Sequence, residues 1–223
     1  MAQERIAVVT GGAGAIGGAI VSALAAAGHG TVVLDRAECD LADADDVRRV
    51  AREVGRCDVL VHAAAAFDHV TLHDVELDTW RRVQAVNVES ALLLAQTFAP
   101  GMAERGWGRI VHIVSDTVFA PPSGELLAYT TSKAALIGLT RVLAVALGGD
   151  GITVNAVAPG LTRTPSAELG VPAEAFAEVV AHQAVPRPLV PGDVAGTVAF
   201  LASDAAGALT GQTLCVDGGF VLH

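Results

Sequence analysis

The sequence predicts an α/β fold: a parallel β-sheet covered by helices on both faces. Two observations carry that prediction. Short apolar runs alternate along the chain with amphipathic stretches. The runs are also apolar throughout, as expected of strands buried on both faces. Composition agrees. Of 223 residues 52% are hydrophobic but only 4% aromatic, so Ala, Val and Leu must fill the core, and a chain of that length suits one domain.

Taken in order, Ile6–Val9 reads as a first strand, Gly11–Gly18 as a glycine-rich turn and Ala19–Ala27 as a helix. Thr31–Leu34 is a second strand, Asp45–Val54 a helix and Val59–His62 a strand. Leu77–Arg105 carries one long helical pattern with a break near its start. Arg109–Val114 is a strand, Ala128–Leu147 a helix and Thr153–Val157 a strand. Asp193–Leu201 is a helix and Thr213–Val216 a last strand. No linker, repeat or low-complexity segment divides residues 1–223, which form one domain. Pro159–Pro191 reads as a loop-and-helix insertion over a site.

Charge and cysteine content exclude several classes. The formal net charge is −10 and no basic cluster appears. Nucleic acid requires Lys and Arg gathered on one face, and an anionic membrane surface favours the same, so neither is an expected partner. Cys39, Cys57 and Cys215 fit neither a CxxC pair nor a zinc set. An odd number without a signal peptide reads as free thiols in a reducing compartment. Met1–Arg5 runs straight into Ile6–Val9, which leaves no secretory segment. No apolar stretch is both long and uninterrupted enough for a membrane span. The expected location is the cytoplasm, and no metal is expected, since no His/Cys/Asp/Glu cluster has ligand spacing.

Thr10-Gly11-Gly12-Ala13-Gly14-Ala15-Ile16-Gly17 sits between the first strand and first helix. Glycines there let the backbone approach a pyrophosphate, and a helix N-terminus offers N–H groups and a positive dipole end. A tight strand-to-helix connection would also use glycines; the placement after the first strand favours a nucleotide. Asp35 ends the second strand, where a carboxylate accepts from ribose hydroxyls and repels a 2′-phosphate, so NAD is expected ahead of NADP. Arg36 is the counter-signal.

Tyr129 and Lys133 lie four apart at the start of a predicted helix and share one face. An ammonium beside a phenol stabilises the phenolate and lowers its pKa, which allows proton exchange near neutral pH. An ordinary surface pair has the same spacing. Ser115 follows the strand Arg109–Val114, where strand ends face the ligand crevice; it either binds a substrate oxygen or caps a turn. Asn87, inside the apolar pattern Val83–Leu94, is either a satisfied core amide or a residue holding water or a helix kink.

Together these residues resemble the short-chain dehydrogenase/reductase family over essentially the whole chain. The resemblance rests on Thr10–Gly17, Asp40-Leu41, Asn87, Gly108–Val111 leading to Ser115, Tyr129 with Lys133, Asn155–Gly160 and Gly211–Gly219. It implies a single Rossmann-type, doubly wound domain and hydride transfer between NAD(H) and a secondary alcohol or ketone. Tyr129 would be the general acid/base, Lys133 would lower its pKa and bind the nicotinamide ribose, Ser115 would hold the substrate oxygen and Asn87 would position a relay water. Gly11, Gly14, Ala15, Ile16 and Gly17 would cradle the pyrophosphate. Asp35 and Arg36 would meet the adenosine ribose, Asp40 and Leu41 the adenine, and Ala63, Ala64 and Ala65 the cofactor's other side. Pro159, Gly160 and Thr162 would line the nicotinamide, with Thr164 near its carboxamide and the phosphates. The implied assembly is a homotetramer built on the long helices and the C-terminal segment.

Four departures stand out. Ala15 replaces the middle glycine of the TGxxxGxG turn. His62-Ala63-Ala64-Ala65 replaces Asn-Asn-Ala-Gly, so lost Asn hydrogen bonds must be made otherwise. Ser115 lies 14 positions before Tyr129, one more than usual. Only Arg36–Cys39 separates Asp35 from Asp40, which removes a helix and much of a strand and predicts a short edge strand beside an open adenine side. Residues 164–187 should form a substrate lid, with Pro165, Leu169, Val171, Pro172, Phe176, Val179, Val180 and Val185 as an apolar wall, joined by Phe119 and Leu126, or else simply packing on the domain. His69 and His182 are weaker candidates for binding a polar substrate group. The alternatives are an NADPH-dependent ketoreductase of the 3-oxoacyl type, a cofactor-assisted epimerase or dehydratase, and a non-catalytic NAD-binding regulator.

Overall fold

A computed structural model describes residues 4–222; the residues Met1–Gln3 of the N-terminal reading lie outside the described residues. The strands are β1 (Ile6–Thr10), β2 (Gly30–Leu34), β3 (Val59–His62), β4 (Gly108–Ile113), β5 (Ile152–Pro159) and β6 (Thr213–Val216). They form one parallel sheet in the order β2-β1-β3-β4-β5-β6. After β2 the chain crosses back over β1 to β3. The winding therefore reverses between β1 and β3, and their carboxyl ends open the crevice where such sheets bind ligands.

The helices are α1 (Ala15–Ala26), α2 (Ala44–Val54), α3 (Leu77–Gln84), α4 (Ser90–Glu104), α5 (Leu127–Leu147), α6 (Pro165–Gly170), α7 (Ala173–His182) and α8 (Pro191–Leu201). Two apolar cores follow from alternate strand residues. Val8, Leu60, Ile110 and Val154 face α2 and α4; Ala7, Val9, Val61, Val111 and Val157 face α1 and α8. Nothing in β3 to β5 is exposed, which is why these runs lack polar alternation.

Several expectations change. Helix α1 begins at Ala15, four residues before the predicted start, because Gly17 and Gly18 belong to its first turns. The pattern Leu77–Arg105 is not broken; a π-helical segment, Ala85–Glu89, joins α3 to α4. The predicted remnant of an extra edge strand does not form. Residues 36–43 are turn and coil, and β2 itself is the edge. With four residues between Asp35 and Asp40, the chain can only turn into α2. Asp43 caps α2 by accepting from Asp45 and Asp46 N–H.

Helix α5, extended to Asp150, is long and apolar enough to cross a membrane by length and composition, contrary to the sequence expectation. It packs instead on β5, with Ser132, Lys133, Leu136, Ile137, Thr140 and Ala144 on its buried side.

Candidate active site

The glycine-rich turn is fixed by backbone contacts. Gly11 has φ +68°, and a Cβ there would lie 2.8 Å from Ala64 Cα, so only glycine lets the two crevice walls approach. A Cβ on Gly17 would stand 2.1 Å from the Gly11 carbonyl oxygen, so this glycine packs the turn on its helix. Gly14 is the N-cap of α1 and no side chain caps the helix; its first turn holds no acidic residue. The N–H groups of α1 are therefore open toward an anion. Ala15 is exposed at this helix start, while Ile16 packs into the core between α1 and α8.

Beside the turn lies a cavity of about 770 Å³, lined by Gly11, Gly14, Asp35, Arg36, Asp40, Leu41 and Ala63–Ala66 among others. Asp35 Oδ2 accepts from Ala13 N–H at 2.6 Å, which holds the carboxylate against the turn. Asp40 is bound at its backbone by Asp46, at 2.8 Å. The backbone of the alanine segment is held by Thr10, whose hydroxyl accepts from Ala63 and Ala64 N–H, each at 3.1 Å. His62 turns inward to Ser90 Oγ at 2.8 Å.

The other site residues assemble where β4 ends. Lys133 Nζ donates to the Ile113 carbonyl, at the end of β4, at 2.7 Å. Both Lys133 and Asn87 are fully buried, so the pairing of Tyr129 with Lys133 is not a surface pair; the ammonium lies 5.5 Å from the centre of the Tyr129 ring. Asn87 sits in the π-helical segment. Its amide donates to Ser132 Oγ at 2.9 Å and clamps Ala66, accepting from its N–H at 2.7 Å and donating to its carbonyl at 3.0 Å. Asn87 is thus saturated within the protein and ties the loop after β3 to the first turn of α5.

Ser115 lies two residues beyond β4, and its turn-capping reading is seen directly. Its hydroxyl caps the turn Asp116–Val118, accepting from Thr117 N–H at 3.3 Å, and acts to lower the pKa of Tyr129. Thr117 Oγ1 donates to it at 3.0 Å.

One electrostatic expectation is reversed. Lys133 does not lower the Tyr129 pKa; burial pushes the phenol up to about 12, against the lowering effect of the Ser115 hydrogen bond. Burial also pulls Lys133 down to about 7. Asp116, which the sequence reading passed over, is raised to about 6 by burial and by Asp217. No sequence motif marked Asp116, because its burial depends on Gly160 and Asp217 folding against it.

Several other predicted residues have partners within the protein. Thr162 is buried and donates to the Gly160 carbonyl at 2.9 Å. Thr164 caps α6, accepting from Ala167 N–H at 3.1 Å. Leu126 is buried, Leu169 is 91% exposed, and Phe176 is buried within the segment, so these do not line one apolar wall. Pro159 ends β5, and Gly160 N–H donates to Val216. His182 bonds its own helix at the Glu178 carbonyl. Among the described residues no group of three or more His, Cys, Asp or Glu is placed to hold a metal ion.

Residues 1–221 match a family model described as enoyl-(acyl carrier protein) reductase. The cis-4-hydroxycyclohexanecarboxylate dehydrogenase of Sinomonas cyclohexanicum is 37% identical, with 97% of this chain and 96% of that protein covered. The D-xylose 1-dehydrogenase of Caulobacter vibrioides is 34% identical, over 96% and 94%. A structure from Beutenbergia cavernae, assigned as an NAD(P) dependent gluconate 5-dehydrogenase with NADP bound at low occupancy, superposes with a TM-score of 0.91 at 38% identity, covering 97% of this chain and 96% of that one. A metagenomic blue fluorescent protein in complex with NADPH gives a TM-score of 0.87 at 32% identity, covering 98% of each chain. With a family model matched over residues 1–221 and relatives that match nearly end to end, the chain belongs to the short-chain dehydrogenase/reductase family.

Proposed function

We propose that the chain is an NAD(P)-dependent oxidoreductase acting on the carbinol or carbonyl carbon of a secondary alcohol or ketone. The observation that carries this reading is Tyr129 held beside the buried Lys133, with Ser115 close enough to lower the phenol's pKa, at the carboxyl end of a sheet whose glycine turn leaves a helix N-terminus open. The residues fit a dinucleotide: Gly11 admits the close approach of Ala64, and the cavity beside it is about 770 Å³. When bound, a nicotinamide supplies hydride donation or acceptance. The chain does the rest. Ser115 orients the substrate oxygen, and Tyr129, protonated at neutral pH with its pKa near 12, gives its proton to that oxygen in reduction and takes it back in oxidation. Lys133, Asn87 and Ser132 hold the first turn of α5, and with it the phenol, in place.

NAD is the favoured form. Asp35 is pinned toward the turn by Ala13, and a carboxylate there repels a 2′-phosphate. The relatives solved with NADP and NADPH support the dinucleotide class, not this choice. We further propose a homotetramer, supported by the apolar outer side of α5, where Val142 and Val145 are 67% and 87% exposed, and a reducing, cytoplasmic location suited to three cysteines without disulfides.

The experiment is oxidation of NADH and of NADPH at 340 nm with a panel of ketones, for wild type and Tyr129→Phe. Wild type should turn over ketones with NADH in preference to NADPH, and Tyr129→Phe should lose about 10²-fold or more. Tight NADH binding with no turnover on any ketone would instead favour a non-catalytic regulator.

A further inference from the structure

One aromatic side chain that the proposed chemistry does not use stands next to the phenol, and a second stands against the first. The loop leaving β3 carries Phe67 and His69. The Phe67 ring centre lies 4.7 Å from that of Tyr129, at 64° between planes, and 5.0 Å from that of His69, at 77°. Both are edge-to-face contacts. The loop is pinned on either side of Phe67. Ala66 is held at its N–H and its carbonyl by Asn87, and Val70 N–H donates to the Glu125 carbonyl at 2.7 Å, just before α5. Beneath it, Val83, Ala128 and Trp80 fill the space.

A pinned aromatic is normally covered, yet Phe67 is 50% exposed. Its position is set by the same clamp that sets Tyr129, since Asn87 binds both Ala66 and Ser132. The segment over the site supplies no substitute. Phe176 is buried, with the Arg163 guanidinium 5.8 Å from its ring centre, and it lines a separate cavity of about 150 Å³.

We propose that Phe67 is a specificity-determining residue: its free face is the wall on which the saturated ring of a cyclic secondary alcohol or ketone rests while the ring's oxygen meets Tyr129. The inference rests on the oxidoreductase reading and deepens it to a substrate class. A ring carries a rigid array of C–H groups one bond away from the reacting carbon. Such an array covers an aromatic face at little conformational cost. A small acyclic ketone reaches the phenol and leaves Phe67 in water.

The test compares wild type, Phe67→Leu and Phe67→Ala with NADH, using cyclohexanone and acetone. The kcat/KM ratio of cyclohexanone over acetone should fall about tenfold in Phe67→Ala and less in Phe67→Leu. Both variants should keep the wild-type melting temperature to within a few degrees, because the ring is half in water. Proton NMR of cyclohexanol added to the NADH-loaded protein reads the wall without turnover. The ring protons should shift upfield in wild type and lose that shift in Phe67→Ala. Equal losses on both ketones, or an unchanged ring-current shift, would overturn the proposal. A wild type that turns over neither ketone yet shows the Phe67-dependent shift would sink the oxidoreductase reading and leave the wall standing.

Discussion

Lys133 shows how burial and chemistry compete at a single residue. It has no exposed surface to speak of, and its ammonium is satisfied by one carbonyl, that of Ile113. Burial lowers its pKa to about 7. Between the ordinary lysine value and about 7 the unfolded chain therefore binds a proton that the folded chain does not. Stability is lost as pH falls through that window, and the cost is fully present below it. Lys133→Met removes the cost and forfeits one hydrogen bond. The variant should be more stable than wild type by roughly 1–3 kcal/mol at pH 7, with the gain vanishing above pH ~10.5. Thermal unfolding across that pH range checks the sign, and turnover should fall by about 10²-fold in the same protein. The buried pair His62 and His112 extends the same trend to lower pH. Both are held below the usual histidine range by burial, so they contribute stability that is lost as pH falls below about 6.5.

At the scale of elements, the connection from β1 to α1 has the least freedom. The pattern of glycines was legible as a ligand turn, but their separate duties were not. Gly11 serves the approach of two loops, while Gly17 serves the closure of the turn on its own helix. Gly17→Ala would put a methyl 2.1 Å from the Gly11 carbonyl oxygen, so the turn must open. The expected result is a loss of roughly 1–3 kcal/mol in denaturant unfolding together with weaker NADH binding by fluorescence titration. The α3–α4 pattern illustrates the reverse difficulty. Apolar periodicity ran through Asn87 without a break, because a π-helical segment inserts one residue's rotation and not a stop. That extra rotation turns Asn87 inward to clamp Ala66 and Ser132.

At the scale of the molecule, the outward side of α5 remains unaccounted for within one chain. Its inward side packs the sheet and carries Lys133 and Thr140, while Val142 and Val145 face water. A second copy covering that side would remove their apolar surface from water, worth about 25 cal/mol per Å². Val145→Glu should therefore reduce the mass seen in sedimentation equilibrium while leaving the single-chain fold intact by circular dichroism. An unchanged mass would argue against an interface on that side.

The alternation of buried strands and helices, the glycine turn and the order of Ser115, Tyr129 and Lys133 were all determined by sequence, because each is a local pattern of polarity or spacing that the backbone's periodicity converts directly into a face or a turn. Three matters were decided only in three dimensions. The sign of the Tyr129 shift depends on how many atoms exclude water around it. The edge of the sheet falls at β2 because four residues after Asp35 cannot supply another strand. Phe67 meets the phenol because Asn87, 20 residues further along the chain, clamps the loop that holds it. Solvent exclusion and contacts between distant segments are properties of the packed chain, and no local pattern encodes them.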